Sequence, residues 1–425
     1  MNPAPINIFQ KLMRKWDAVH PYNAAQVMTI HGEPDLPALT AAWQAALAAA
    51  GLGRVRTRED RYRFESMNGD GRTLRLALPA KNLSEHLSEE LNRPFTDPAE
   101  PPFRPFVIRE AGHYFAGVVY HHWIADSASI RTLLREWFMR VYDPPAASCR
   151  PLKLAVNGYW NTLGPHRGGW QILDSALSLG RRHTRLRRAQ KIASNDLSDH
   201  RTAFMLFSAP DWLIARLKPW ASGRRVKLND VFLAALAEAC ARHVPLQRRK
   251  NRMDVAVGSI VDLRPHCRDD LSNTFGVFLG FTHVLCRPAD LRDFDRLLRV
   301  VSNQTRLQKA TGVAQSSLMW MSAAMAAGTI SRPDELYHSY RKELPLAGGI
   351  SNVDLSQTWA GQYHPSPLLD YLRVSPSGPM TPLVVTTTTL GERFHVGVTY
   401  RTGLVGYERA AAVGNCFLAR LGELV

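Results

Sequence analysis

The sequence predicts an α/β protein of two lobes, each a mixed sheet with flanking helices. Three observations predict it. The 425 residues exceed what one hydrophobic core usually organises. Strand-like and helix-like stretches are mixed in both halves, which is the pattern of layered α/β architecture. Between the halves the chain changes character, which divides it into a first lobe (1–160), a basic connector (161–200) and a second lobe (201–425).

In the first lobe, Ala24 to His31 reads as a strand and Leu36 to Ala50 as an alanine- and leucine-rich helix ended by Gly51. Tyr62 to Glu65 and Leu74 to Ala77 are weak strand candidates, whereas Pro105 to Arg109 and Tyr114 to His121 are better ones. Ser127 to Tyr142 is an amphipathic helix with Ile130, Leu133, Leu134, Trp137, Phe138 and Val141 on one stripe, stopped by Asp143-Pro144-Pro145. The connector carries Pro165, Gly168-Gly169 and the basic run Arg181 to Arg188. That run is a solvated linker helix or a docking surface for an acidic carrier protein, a nucleotide tail or an anionic membrane. In the second lobe Ala203 to Phe207 is a strand, and Asn229 is placed to cap a helix running to His243. Val255 to Asp262 is a strand, and Phe275 to Leu285 is one strand or two broken at Gly280. Helices follow over about 290–309, 314–326 and 333–342. Gly349 to Val353, Tyr371 to Ser375, Leu383 to Thr389 and Phe394 to Tyr400 complete the strands, and Tyr407 to Leu424 closes the chain as a helix.

Hydrophobic residues make up 45% and charged residues 21% of the chain, ordinary values for a globular protein. No apolar run reaches the length of a membrane-spanning helix, and Met1 to Pro5 lacks the pattern of a secretory signal. Cys149, Cys240, Cys267, Cys286 and Cys416 show no CxxC spacing, so neither a zinc site nor a disulfide framework is expected, and a cytoplasmic setting fits. The net charge of +16 points either to anionic partners or to an arginine-rich solvated surface. Nucleic acid is not expected, because the basic run lacks interleaved aromatics and no zinc-finger or RNP motif occurs.

The chemistry-bearing stretch is Val118-Val119-Tyr120-His121-His122-Trp123-Ile124-Ala125-Asp126-Ser127, where an apolar strand gives way to a helix. A histidine at such a junction can reach a cleft and, uncharged, can take a proton from an attacking hydroxyl, amine or thiol. The bland alternative is two strand-end histidines and an aspartate capping the next helix. A second segment, Gly258 to Pro265, is a strand ending in the charged residues Asp262 and Arg264, with Asn273, Phe275, Gly276 and Phe278 close behind. Phosphate-loop, GxGxxG, HExxH and GxSxG patterns are absent, so nothing points to a metal, a redox cofactor or a serine hydrolase.

Together these segments resemble the chloramphenicol acetyltransferase-like superfamily, which includes peptide-synthetase condensation domains, BAHD acyltransferases and wax ester synthases. His121, His122 and Asp126 match its HHxxxD mark. Asp262, Arg264, Asn273 and Gly276 look like its aspartate-any-arginine and asparagine-glycine region, and the tail from Tyr371 onward is also similar. The resemblance implies two chloramphenicol acetyltransferase-like lobes with a central tunnel between them. It implies His122 as general base, with His121 and Asp126 completing the catalytic motif, and Asp126 turned away to pair with Arg264. Ser351 and Asn352 resemble a serine-asparagine element of wax ester synthases and are weak tunnel candidates, beside the plainer reading of a strand-end turn. Thr387, in the run Thr386 to Thr389, is either an oxyanion-steadying hydroxyl or part of a good strand. Asn273 and Ser127 are further tunnel candidates. Ser127 stands where condensation domains have glycine, which narrows the site or caps the helix. The DFGWG element of BAHD enzymes is missing.

The implied reaction transfers an acyl group from acyl-CoA or an acyl carrier protein, both ending in phosphopantetheine, to a small-molecule or lipid hydroxyl or amine. No permanently bound cofactor is implied. A free-standing amide-forming condensation or epimerisation domain is the first alternative. A silent module binding a carrier or an anionic lipid is the second, with contact at the inner membrane surface included.

Overall fold

The structure is a computed structural model that describes residues 2–66, 76–147, 151–154, 180–181, 183–193, 198–267, 269–326, 336–359 and 367–425. Ten strands build its two main sheets. They are β1 (Asn23–His31), β2 (Phe103–Glu110), β3 (His113–His121), β4 (Thr202–Ser208), β5 (Val255–Asp262), β6 (Leu279–Cys286), β7 (Gly348–Asp354), β8 (Leu368–Val374), β9 (Leu383–Leu390) and β10 (Arg393–Arg401). The helices used below are α1 (Ile8–Asp17), α2 (Leu36–Ala50), α3 (Leu83–Asn92), α4 (Ser127–Tyr142), α5 (Leu228–His243), α6 (Val313–Ala326) and α7 (Tyr407–Glu423).

The first sheet is four-stranded in the order β8-β1-β3-β2, with every neighbouring pair antiparallel. The second is six-stranded in the order β6-β5-β7-β9-β10-β4. Its centre, β5-β7-β9, is parallel and its flanks are antiparallel. The architecture is thus α/β in both halves, as the mixed strand and helix pattern predicts. One strand departs from that reading. The stretch expected at Tyr371 to Ser375 is β8, and it pairs with β1 of the first half. It is buried on both faces from Asp370 to Val374, and a strand of this kind does not state which sheet receives it.

Helix α1 has no counterpart in the sequence reading. Asn7 accepts from the Gln10 amide while the Gln10 side chain accepts from the Asn7 amide, a reciprocal capping box. Phe9, Leu12, Met13 and Trp16 then bury one helical stripe. Helix α4 starts where Asp126 accepts from the Ser129 amide at 3.0 Å. Its apolar stripe packs on α2, and the Trp137 indole donates to Leu39 O at 2.9 Å. Helix α5 is buried from Asp230 to Cys240, between the second sheet and α7. Asn229 lies inside α5 rather than capping it; Lys227 is the cap position and makes no side-chain bond there.

The break expected at Gly280 falls instead at Gly276, where φ is 153°, a value only glycine adopts easily. Gly280 sits within β6, and a Cβ there would approach Ala314 O at 2.5 Å, so the missing side chain lets α6 lie on the strand. Of the connector, the described part gives a helical turn over 183–186 and the strand Lys191–Ile192, which pairs with Leu246–Gln247. The rest, with Pro165 and Gly168-Gly169, lies outside the described residues, as do Cys149, the start of the 333–342 helix and Leu74. Ala77 makes a single bridge to Phe106. Among the described residues no helix is long and apolar enough to cross a membrane.

Candidate active site

The strand β3 ends at His121, and a tight turn, in which the Ile124 amide donates to His121 O at 3.0 Å, delivers the chain into α4. The two histidines leave this turn in opposite directions. His122 lines a cavity together with Phe9, Met13, Trp16, Tyr22 and Tyr120 on one side and residues of β5, β7 and β9 on the other. The free space inside is about 890 Å³ with open solvent at its edge included, within the range of small-molecule sites. The cavity therefore lies between elements of both halves.

The His122 ring stacks on Tyr22 with centroids 5.6 Å apart and meets Tyr120 edge-on, also at 5.6 Å. Its backbone amide donates to Tyr22 O at 3.1 Å, which fixes the strand end against the loop after α1. Nδ1 lies 2.9 Å from Ala125 O. A carbonyl only accepts, so Nδ1 carries the proton and Nε2 carries the lone pair. Burial pulls the His122 pKa below its usual value, against the opposing influence of the Ala125 carbonyl and the Asp126 charge. An uncharged imidazole with a bare Nε2 at neutral pH is the state a general base needs.

His121 faces the other way. Its Nε2 lies 3.0 Å from Asp17 Oδ2, its Nδ1 accepts from the Trp123 indole at 3.2 Å, and its ring stacks on Phe95 at 5.3 Å. Nε2 thus faces the Asp17 carboxylate without an aligned hydrogen bond, and the ring is not among the residues of the cavity. His121 sets the strand end against α1 and lies away from the cavity that His122 lines.

Asp126 is 1% exposed and points away from the cavity. Arg264 Nη1 donates to its Oδ2 at 2.7 Å and Nη2 to its Oδ1 at 3.0 Å, a fork-to-fork pair joining the two halves. The Ser129 and Phe278 amides donate to the same carboxylate at 3.0 and 2.9 Å. Burial alone would raise the Asp126 pKa, but the Arg264 charge and these donors outweigh it and hold the carboxyl below the usual range. Arg264 also donates to Ser129 Oγ at 2.9 Å and lies over the Phe278 ring at 4.5 Å. Gly276 closes the lock: its carbonyl accepts from the Asp126 amide at 3.0 Å and its amide donates to Ser129 Oγ at 3.0 Å. Asp262 accepts from the Arg264 backbone and side chain at 3.0 and 3.3 Å.

The remaining expected residues divide. Ser127 and Ser351 line the cavity. Asn352 and Thr387 bond each other at 2.8 Å, and neither is among the cavity residues. Asn352 therefore follows Ser351 onto the opposite face of β7, as strand alternation requires. Asn273 is also away from the cavity: its side chain donates to Pro151 O at 3.3 Å and its carbonyl accepts from the Lys153 amide. Asn273, Asn352 and Thr387 are thus placed away from this cavity, while Ser127 and Ser351 line it. Sequence reading missed the α1 contribution of Phe9, Met13 and Trp16, although Asn7, Gln10 and the apolar spacing after them carry the signal. It also missed Arg373, the cation inside β8. Among the described residues no three His, Cys, Asp or Glu side chains converge on a metal position.

No family model matches the chain, and no curated protein is similar to it. Solved structures are. The first condensation domain of the calcium-dependent antibiotic synthetase, in complex with a substrate analogue, superposes with a TM-score of 0.71 at 15% identity, covering 100% of this chain and 97% of that one. The condensation domain of the Monacolin K polyketide synthase MokA gives 0.66 at 11% identity over 100% and 97% of the two chains. This chain has the condensation-domain fold. The epimerization domain from the third module of tyrocidine synthetase B shares that fold with a TM-score of 0.60 at 13% identity, covering 99% and 97%. At such identities the condensation-domain fold is common ground, while substrate and reaction have to be argued from the side chains.

Proposed function

We propose that this condensation-fold chain joins an acyl group, delivered as a carrier-protein thioester, to an amine, with His122 Nε2 as the base. The observation that carries the reading is the Nδ1 bond of His122 to Ala125 O, which leaves the unprotonated nitrogen in a cavity walled by both halves. The amine attacks the thioester carbonyl, a C–N bond forms and the C–S bond breaks. Nε2 takes the proton from nitrogen and returns it to the departing thiolate. Asp126 and Arg264 hold the turn and bridge the halves without touching the reactants. Of the donors and acceptors the sequence leaves open (CoA or carrier protein, hydroxyl or amine), the carrier and the amine are favoured here, because the solved structures of like fold are condensation and epimerization domains.

The test supplies an acyl group on a phosphopantetheinyl carrier or on CoA, with an amine or an alcohol acceptor. Thiol release and product mass are followed for the wild type and His122→Ala. Amide product from the carrier, lost in the variant, is the expected result. Ester product from CoA would favour the CoA and hydroxyl branch of the sequence expectation instead, and no thiol release from any pair would leave a binding module.

A further inference from the structure

Arg373 on β8 is 2% exposed. A buried guanidinium is costly unless a carboxylate answers it, and Arg264 in the same molecule has one. Among the described residues Arg373 has none. Nη1 donates to Ser127 Oγ at 3.3 Å, Nη2 donates to Ser351 O at 2.8 Å and to Ser351 Oγ at 3.0 Å, and Nε is buried with no partner. The charges acting on it come from a second cation, Arg131, and from the Tyr120 and Tyr371 hydroxyls; burial first and then Arg131 lower its pKa to about 10. Arg373 remains a cation, held in a positive field with no anion.

The two serines it grips are two of the four serines that line the cavity. Each Oγ accepts from Arg373, and Ser127 Oγ accepts from Gln26 Nε2 as well, at 3.2 Å. An oxygen whose lone pairs are engaged in this way directs its own O–H elsewhere. Neither hydroxyl hydrogen is donated to a described residue. Ser127 is also the first residue of α4, whose N-terminus adds partial positive charge. The result is a pair of hydroxyl donors, backed by a buried cation, on the wall of an otherwise mostly apolar cavity that includes Met13, Phe281, Met321 and Met380.

We propose that this cavity selects a substrate bearing a free carboxylate, seated on the Ser127 and Ser351 hydroxyls with Arg373 behind them as the charge that specifies it. The inference names a substrate class for the site of the proposed reaction, and it is tested by binding, which needs no turnover. The carboxylate belongs either to an acceptor whose acid group is not thioesterified or to a donor acyl chain with a second acid group.

Two probe pairs distinguish these sources by calorimetric titration: L-leucine against L-leucinamide for the acceptor, and glutaryl-pantetheine against butyryl-pantetheine for the donor. The wild type is expected to favour the carboxylate member of at least one pair about tenfold or more, the scale of a charge-assisted hydrogen bond. Arg373→Met removes the cation while keeping an unbranched side chain; it is expected to fold with an unchanged or raised Tm and to lose the preference. Arg373→Lys keeps part of it. Ser351→Ala, which leaves Arg373 in place, reduces it and serves if Arg373→Met does not fold. Equal affinity within both pairs in the wild type, or a preference that survives Arg373→Met or Ser351→Ala, overturns the proposal. Neither result bears on whether His122→Ala stops thiol release, so the two readings fail separately.

Discussion

His121 and His122 are adjacent in the chain and belong to different regions of the molecule. His121 looks into a packed corner made by Asp17, Phe95 and Trp123, where Nδ1 accepts from the Trp123 indole and Nε2 faces the Asp17 carboxylate. His122 looks into the cavity with one nitrogen tied to Ala125 O. The same side chain is a brace in one region and, in the proposed reaction, a base in the other, and the difference is set by what the second nitrogen meets. A doubled histidine thus divides its labour: one ring fixes the strand end so that the next ring has a fixed aim.

Four substitutions or conditions break or sharpen this contrast. The largest effect is expected for His122→Ala, which lowers kcat by about 10²–10⁴-fold, the usual contribution of a general base, with circular dichroism and Tm little changed. Next is Asp126→Ala. It strands the Arg264 guanidinium and removes the acceptor of the Ser129 and Phe278 amides. Loss of about 3–5 kcal/mol in urea unfolding is expected, so this variant fails by stability where His122→Ala fails by chemistry.

The third is a pH dependence. In the proposed reaction His122 acts uncharged, and burial depresses its pKa. The acid limb of kcat/KM is therefore expected below the free-histidine pKa of about 6.5. Below that value the unfolded chain takes up the proton before the folded one, so stability falls as pH drops from 6.5 through the folded pKa. A pH-rate profile and a matching urea series check both parts; an acid limb above 6.5 would remove His122 as the titrating base. The smallest effect is expected for His121→Phe, which keeps the stacking on Phe95 but loses the bond from Trp123. A cost of about 1 kcal/mol in stability is expected, with turnover reduced far less than in His122→Ala. Equal losses of turnover in the two histidine variants would erase the distinction between brace and base.

The legible part of the molecule was local. The boundaries of α2 and α4 follow from Asp35, Gly51 and Asp126, caps that act within one turn. The strand, turn and helix around His122 show in composition alone, and the Asp126 and Arg264 side chains meet although 138 residues separate them. What stayed hidden depends on placement across the sheets. Tyr371 and Arg373 read as one more strand of the second half, since nothing in a strand states which sheet receives it. Asn352 and Ser351 differ only by alternation, and which face meets the cavity is decided by the whole sheet. Helix α1 was readable from Asn7 to Trp16 but is short and charged at Lys11, Arg14 and Lys15, so its stripe is easily passed over. Gly280 looked like a break because a glycine in a strand is ambiguous until the helix it admits is known.

Strand β8 shapes how the molecule can come into being. The first sheet needs a strand encoded near the far end of the gene, so β1 keeps an open edge for as long as synthesis has not passed Val374. That edge carries Gln26, whose side chain is also bonded by the Tyr371 hydroxyl once β8 arrives. The early part of the nascent chain must wait for its last third before its hydrogen-bond ladder is closed, and during that wait an unpaired edge is where misassociation with another chain begins. Cutting the protein between its halves would yield not two autonomous pieces but one sheet robbed of a border and one orphan strand.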